Sequence, residues 1–209
     1  LKKTGIPPGD ATAAQMDIVA DMADRYSFGE LRVTHEQNLV LADVKQSDLL
    51  AVYTEAKAHG LATPNIGLLT DMICCPGLDF CSLANASSIS IAEQINAHFD
   101  DLDYLYDLGP IEIKMSGCMN ACGHHHVGHI GILGVDKHGV EWYQITIGGS
   151  ASGDSALGTV IGPSVGKADV AATIAKLLDV YVAQRSEDET FLQTVRRIGV
   201  EPFRERVYG

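Results

Sequence analysis

Four of the five cysteines fall into two tight pairs, Cys75-Pro-Gly-Leu-Asp-Phe-Cys81 and Cys118-Met-Asn-Ala-Cys122, with residues 82–117 between them. Any fold for this chain has to accommodate those pairs. Free cysteine is among the most buried residue types, so four packed thiols are the simplest account. Chance, however, seldom gathers four of five cysteines into two pairs, each flanked by glycine (Gly77, Gly117, Gly123). The spacing therefore reads as a metal site. An odd cysteine count and no apolar leader segment at the N-terminus argue for thiolates kept reduced in the cytoplasm, not for a disulfide framework.

Two metals compete for such a site. Structural zinc takes four tetrahedral ligands, commonly from short C-x2-4-C knuckles; Cys118 to Cys122 fits loosely, and Cys75 to Cys81 does not. A [4Fe–4S] cubane also takes four thiolates, and its larger cage accepts wider spacings from two loops. Glycine beside the ligands lets backbone N–H groups approach cluster sulfurs. The spacing favours iron–sulfur and leaves zinc open.

Bulk properties narrow the function further. The 209 residues include 46% hydrophobic and 20% charged residues, enough for one or two domains with a sizeable core. Fifteen basic against 27 acidic residues give a net charge of −12, with no basic run, which excludes a nucleic-acid phosphate track. No stretch approaches the ~20 apolar residues that span a bilayer. The first residue is Leu1, not methionine, so the chain is expected to be part of a longer polypeptide.

Periodicity places the elements. Apolar positions at Met16, Val19, Ala20, Ala23 and Tyr26 predict a helix over 11–27, with Asp10 as its N-cap. Leu31–Val33 and Leu39–Leu41 read as short strands joined by a polar turn, and a second helix is expected at about 46–59. A helix, two strands and a helix make most of a ferredoxin-like unit. Ala62-Thr-Pro-Asn65 is the natural boundary, dividing the chain into 1–62 and 63–209. Beyond it, Gly67–Cys74 is a strand or buried loop, and a helix is expected over 84–99. Asp100–Asp103 reads as a solvated helix end. Strands follow at Ile111–Met115, His129–Val135 and Val140–Ile147, the last two joined by a hairpin at Asp136–Gly139. Helices are expected at 167–184 and, as one piece ending in a Pro202-containing tail, at 188–207. The fold class is α+β: a ferredoxin-like half-domain followed by a larger mixed α/β unit.

The segment Ser116-Gly-Cys-Met-Asn-Ala-Cys-Gly123 resembles the S/T-G-C-P-N-x-C signature of siroheme- and [4Fe–4S]-containing nitrite and sulfite reductases, with Met119 in place of the usual proline. The preceding C-x5-C, the strand pair with Gly131-Ile-Leu-Gly134 and Gln144-Ile-Thr-Ile-Gly-Gly149, and residues 28–42 against the pattern G-x-I-R-x-T-x-x-Q-N are also similar to that family. Its members are about twice as long and built from two pseudosymmetric halves, so the resemblance implies a C-terminal half whose N-terminal half is its partner. It implies that Cys75, Cys81, Cys118 and Cys122 ligate the cluster, and that Cys122 also bridges to the siroheme iron. Gln37, Asn38, Asn120, Ala121, Gly123 and His124 would then lie at the siroheme edge. Lys114 and Arg32 are candidate carboxylate partners for siroheme, although solvated strand positions are the simpler account of both.

The implied reaction is the six-electron reduction of sulfite to sulfide, with nitrite to ammonia as the alternative and a flavoprotein subunit or ferredoxin as electron donor. The anion-binding Arg and Lys of the family lie mainly in the other half. Glu36 stands where the first-half repeat carries Arg, so this chain alone is expected to lack reductase activity. A non-catalytic zinc- or iron–sulfur-binding structural domain is the reading from a different class. The run His124–His126, if extended, would point its side chains to alternate faces, so that only two could share a site. Cys74 matches no motif position and reads as a packed thiol. Gly148–Gly153 reads as a tight connection near the cofactor, because it lacks the lysine of a phosphate-binding loop.

Overall fold

The computed structural model describes residues 6–209. Helix α1 (Ala13–Tyr26) begins at Thr12, not Asp10. Thr12 and Gln15 form a reciprocal capping box, the Gln15 N–H donating to Thr12 Oγ1 and the Thr12 N–H to Gln15 Oε1. That arrangement satisfies two first-turn donors where Asp10 would satisfy one. Strands β1 (Leu31–Val33) and β2 (Leu39–Leu41) pair antiparallel as a two-stranded ribbon. Helix α2 (Leu49–Ala58) follows a 3-10 turn at Gln46–Asp48 and buries none of its residues. A two-stranded ribbon is marginal by itself, so this unit depends on its neighbours. It lines, with Asn65, Thr70 and Phe99, an open, largely apolar pocket of about 800 Å³.

The second unit is a six-stranded sheet. β3 (Ile73–Cys74), β4 (Ile113–Ser116) and β5 (Ile130–Lys137) run parallel; β6 (Val140–Ile147) returns antiparallel, and β7 (Thr159–Val160) and β8 (Val165–Gly166) both pair with it. Strand alternation sorts the two faces. The rows Ile113–Ile130–Ile147 and Met115–Ile132–Ile145 belong to the main core, with α3 (Ile89–His98) and α5 (Val170–Gln184). From α5, Ile174, Leu177, Leu178 and Tyr181 are fully buried, each worth roughly 1.5–3 kcal/mol. Phe191 of α6 (Phe191–Ile198) and Phe203 of α7 (Glu201–Tyr208) complete an edge-to-face stack with Tyr181, at centroid distances of 5.5 and 6.0 Å. The opposite face carries Lys114, Gly131 and Thr146. A Cβ on Gly131 would meet the His125 carbonyl at 2.1 Å, so glycine here lets the chain after the second cysteine pair lie directly on the sheet.

The helices of the second unit differ from expectation in three places. The helix expected from 84 starts at Ile89, because the carbonyls that would accept its first intrahelical bonds are engaged elsewhere, Ala86 O by Leu78 N–H and Ser87 O by the Tyr143 hydroxyl. Asp101 is the N-cap of an unexpected helix α4 (Leu102–Leu108), accepting from the N–H groups of Asp103 and Tyr104 at 3.0 and 3.3 Å. The helix expected over 188–207 is two, broken at left-handed Gly199 (φ 74°), and Pro202 sits in the first turn of α7, where its missing N–H costs nothing. The β5–β6 hairpin pairs as far as Lys137 and Val140, leaving His138 and Gly139 as a two-residue turn. Both residues have positive φ, as the twist-matched hairpin turns require.

Candidate metal centre

Both cysteine pairs leave the sheet at the same place. β3 and β4 are parallel neighbours, Cys74 opposite Met115, so the chain exits their carboxyl ends side by side into Cys75 and into Gly117-Cys118. Loops at the carboxyl ends of adjacent parallel strands are where open α/β sheets build sites. Backbone hydrogen bonds then sew the loops together. Cys75 N–H donates to Met115 O, Leu78 N–H to Ala86 O, Asn85 and Ala86 N–H both to Gly117 O, and Cys81 N–H to Gly77 O, all between 2.9 and 3.2 Å. Gly117 N–H donates to Cys75 Sγ at 3.0 Å. A Cβ on Gly117 would lie 2.7 Å from Ala86 O and 3.0 Å from Gly77 Cα, so the loops touch backbone to backbone.

The second loop carries its own strain. Ala121 N–H donates to Cys118 O, His124 N–H to Ala121 O, and Gly123 N–H to Ser116 Oγ. To close this turn, Ala121 and His124 take left-handed φ values of 58° and 56° on either side of Cys122. Non-glycine residues held there cost on the order of 1 kcal/mol each and concentrate at functional sites. Cys75 and Cys118 are buried, Cys81 is half-buried, and Cys122 is exposed together with Asn120 and His124. Cys122 is thus the exposed member of the four, and Cys75 and Cys118 are the buried ones.

The residues present fit a thiolate-ligated cluster. The donors are soft sulfurs on two contiguous loops, one sulfur already receives a backbone N–H, and glycines remove the Cβ atoms that would crowd the site.

The other sequence-predicted residues fall in varied places. Gln37, itself left-handed (φ 62°), uses both ends of its amide on the Cys74 backbone: Nε2 donates to Cys74 O at 2.9 Å and Oε1 accepts Cys74 N–H at 3.2 Å. Asn38 Nδ2 donates to Asp71 Oδ1 at 2.9 Å. These bonds tie the β1–β2 turn to the strand that ends at Cys75. Glu36 is exposed in the same turn. Arg32 is solvated and paired with Glu30, but Lys114 is 8% exposed and paired with Glu112 at 3.0 Å, so a solvated position does not describe it. Cys74 is fully buried, as a packed thiol should be. The Gly148–Gly153 loop lies against the 126–128 backbone, where a Cβ on Gly149 would meet His126 O at 2.8 Å.

The three histidines are not extended. His124 is left-handed and His125–Val127 is a 3-10 turn, which brings the His125 and His126 rings to 3.9 Å instead of splaying them to alternate faces. His125 is 1% exposed and its Nδ1 has no partner. Burial, aided by the neighbouring His126, pushes its pKa down to about 4. A histidine buried neutral destabilises the fold once the unfolded chain takes up the proton that the folded chain refuses. Its contribution is therefore complete above about pH 6.5 and is lost as pH falls towards 4. Melting temperature should drop across that window, on the order of 2 kcal/mol from this residue. His125→Gln should flatten the slope, and an equally steep variant would contradict the assignment.

One network escaped the sequence altogether. Glu141, on β6, accepts the Ser87 N–H, Tyr143 Oη–H and Lys167 Nζ. Burial acts to raise its pKa, but the bonds from Ser87, Tyr143 and Lys167 outweigh it and hold the carboxyl at about 2. Tyr143 is driven the other way, well above the usual phenol range, by burial and by Glu141. Tyr143 Oη also reaches Ser87 O at 2.9 Å, so the 85–88 segment is clamped between β6 and the cysteine loops.

With this geometry in place, comparison with known proteins is decisive. The model of the nitrite and sulphite reductase 4Fe-4S domain matches residues 68–209, and that of the nitrite/sulfite reductase ferredoxin-like half domain matches residues 3–59. The chain belongs to the nitrite and sulfite reductase family. It is 32% identical over 199 residues to the chloroplastic ferredoxin–nitrite reductase of Zea mays, covering 88% of this chain and 34% of that protein. It is 28% identical over 216 residues to sulfite reductase [ferredoxin] 2 of Mycolicibacterium paratuberculosis, covering 98% and 39%. Among solved structures, the NirA protein of Mycobacterium tuberculosis superposes with a TM-score of 0.78 at 26% identity, over 94% of this chain and 38% of that one. Dissimilatory sulfite reductase I shares the fold, with a TM-score of 0.79 at 14% identity, over 95% and 66%. The chain spans about a third of the length of the curated relatives it matches, so they are nearer three times its length than two. The α+β architecture is that of the family, whose cofactors are siroheme and a [4Fe–4S] cluster. No helix among the described residues is long and apolar enough to cross a membrane.

Proposed function

We propose that this chain is the cluster-bearing portion of a siroheme-dependent sulfite reductase, with Cys75, Cys81, Cys118 and Cys122 as cluster ligands and Cys122 as the ligand shared with siroheme. The observation that carries this reading is the pair of cysteine loops sewn together beyond β3 and β4, with Cys122 alone exposed. When bound, the two cofactors would relay the donor's electrons to the bound anion for a six-electron reduction. The protein's part is to hold them. Gly117 N–H steadies the Cys75 sulfur, the left-handed residues at 121 and 124 fix the backbone on either side of Cys122, and Asn120, Ala121, Gly123 and His124 would hold the siroheme. Gln37 and Asn38 brace the near edge through Cys74 and Asp71.

Residues 1–62 and 63–209 act as a ferredoxin-like half-domain and a cofactor domain within a longer cytoplasmic polypeptide, whose remaining part completes the anion site. Sulfite is the first reading because the relative named for sulfite aligns over 98% of the chain. Nitrite is the second, supported by the maize relative. A ferredoxin, which both relatives' names cite, is the favoured electron donor over a flavoprotein subunit. The charge of −12 disfavours docking of an acidic ferredoxin on this part of the polypeptide, because like charges repel.

The test is anaerobic purification of the full-length polypeptide, assay of iron, acid-labile sulfide and siroheme, then turnover with reduced viologen. Cluster and siroheme together, with sulfide formed from sulfite faster than ammonia from nitrite, are expected. The reverse preference selects the nitrite reading, and a colourless zinc protein refutes both.

A further inference from the structure

Ser88 occupies the N-cap of α3 but does not behave as one. A capping serine adopts an extended backbone and accepts an N–H from the first turn; Ser88 has φ −115° and ψ −43°, and its side chain makes no capping bond. The hydroxyl is fully buried, and its partner is Cys75 Sγ at 3.4 Å. A cluster-bound cysteine is a thiolate with no proton of its own, so in that state the hydroxyl is the donor. The helix is brought to this spot by Gly77, where a Cβ would stand 2.5 Å from the Ser88 nitrogen and 2.8 Å from its Oγ. Glu141, through Ser87 N–H, holds the residue just before it.

We infer that Ser88 tunes the reduction potential of the cluster by donating a hydrogen bond to the Cys75 thiolate, a positioning and electrostatic role that rests on the functional reading above. Reduction adds one electron to the cluster, and no bond is made or broken at Ser88. The added negative charge spreads partly onto the ligand sulfurs, so a donor aimed at one of them stabilises the reduced state more than the oxidised one. Two further features act in the same direction at Cys75: the Gly117 N–H and the positive end of the ten-residue helix α3. Burial strengthens all three, because no water competes or screens. Cys75 is thereby the most heavily donated of the four sulfurs among the described residues.

The experiment is a dithionite redox titration of the cofactor-loaded full-length enzyme, followed by the electron paramagnetic resonance signal of the reduced cluster. Ser88→Ala should make the cluster harder to reduce by about three- to tenfold in the equilibrium constant. Tenfold is about 59 mV for one electron. Ser88→Thr, which keeps the hydroxyl, should restore the original potential. Thr173→Ala, in α5, removes a buried hydroxyl that donates to Asp169 O and not to a sulfur, and should leave the potential in place.

An unchanged potential in Ser88→Ala with the cluster present overturns the inference. So does a fall in Ser88→Thr or Thr173→Ala as large as the alanine effect at Ser88. If the parent enzyme carries no cluster at all, the functional reading has failed and the inference falls with it.

Discussion

Cys118→Ser should lower iron and acid-labile sulfide in the purified protein by more than about tenfold, whereas Cys74→Ala should leave both unchanged. Changing residues that merely support metal ligands costs 10–100-fold in affinity, and losing a ligand costs at least as much. Cys118 is buried and follows directly on Gly117, whose carbonyl accepts two N–H groups from the first loop and whose own N–H donates to Cys75 Sγ. A serine there keeps the loop and removes only the soft donor. Cys74, one residue from a proposed ligand, belongs to the apolar core, and its thiol lies against Cys75 O at 3.2 Å. Alanine at that position removes a small packed group and costs about 1 kcal/mol of stability. Elemental analysis and the visible spectrum of both variants decide the matter. Equal loss in the two, or retention in Cys118→Ser, would remove Cys118 from the ligand set.

Gly123→Ala should be the most damaging methyl addition near the site. Its Cβ would fall 1.8 Å from Met115 O and 2.7 Å from the carbonyl carbon, both backbone atoms of β4. No rotamer change relieves a collision with a central strand, so either β4 or the loop must move. Overpacking of this kind costs about 3 kcal/mol. For a chain of this size that is about 6–12 °C in Tm. Gly139→Ala is the useful contrast. It meets no atom within 4 Å and suffers only from its left-handed φ of 81°, a penalty of about 1–2 kcal/mol. Thermal melting of both variants checks the ranking, and a Gly123→Ala protein as stable as Gly139→Ala would mean that the loop does not lie on the strand as described.

What the sequence discloses is what lies close along the chain. Each cysteine pair spans at most seven residues, and α5 repeats its apolar stripe over four turns, so both are readable from spacing. Helix α4 is not, because Leu102–Leu108 covers too few residues for a period to emerge and carries Asp103 and Asp107 among its tyrosines. The 84–88 stretch has helical composition. Its conformation is set by distant partners: Gly117 O, some thirty residues away, holds the Asn85 and Ala86 N–H groups, and Tyr143, 56 positions from Ser87, takes a carbonyl that a helix would need. Gln37 and Cys74 are separated by 37 positions, and Ser87 and Glu141 by 54. No local pattern announces such pairs. The histidine run misleads for a related reason: its conformation is dictated by left-handed His124 and by the glycine at 131 beneath it.

Met119, at the tip of the second cysteine loop, is 82% exposed. The turn it crowns is held by Ala121 N–H on Cys118 O, His124 N–H on Ala121 O and Gly123 N–H on Ser116 Oγ, none of which asks anything of the side chain at 119. The proline usual in the family's signature is therefore one way of stiffening this loop and not a condition for forming it. Drift at that position is structurally neutral, so a search pattern that insists on proline will pass over chains that build the same site.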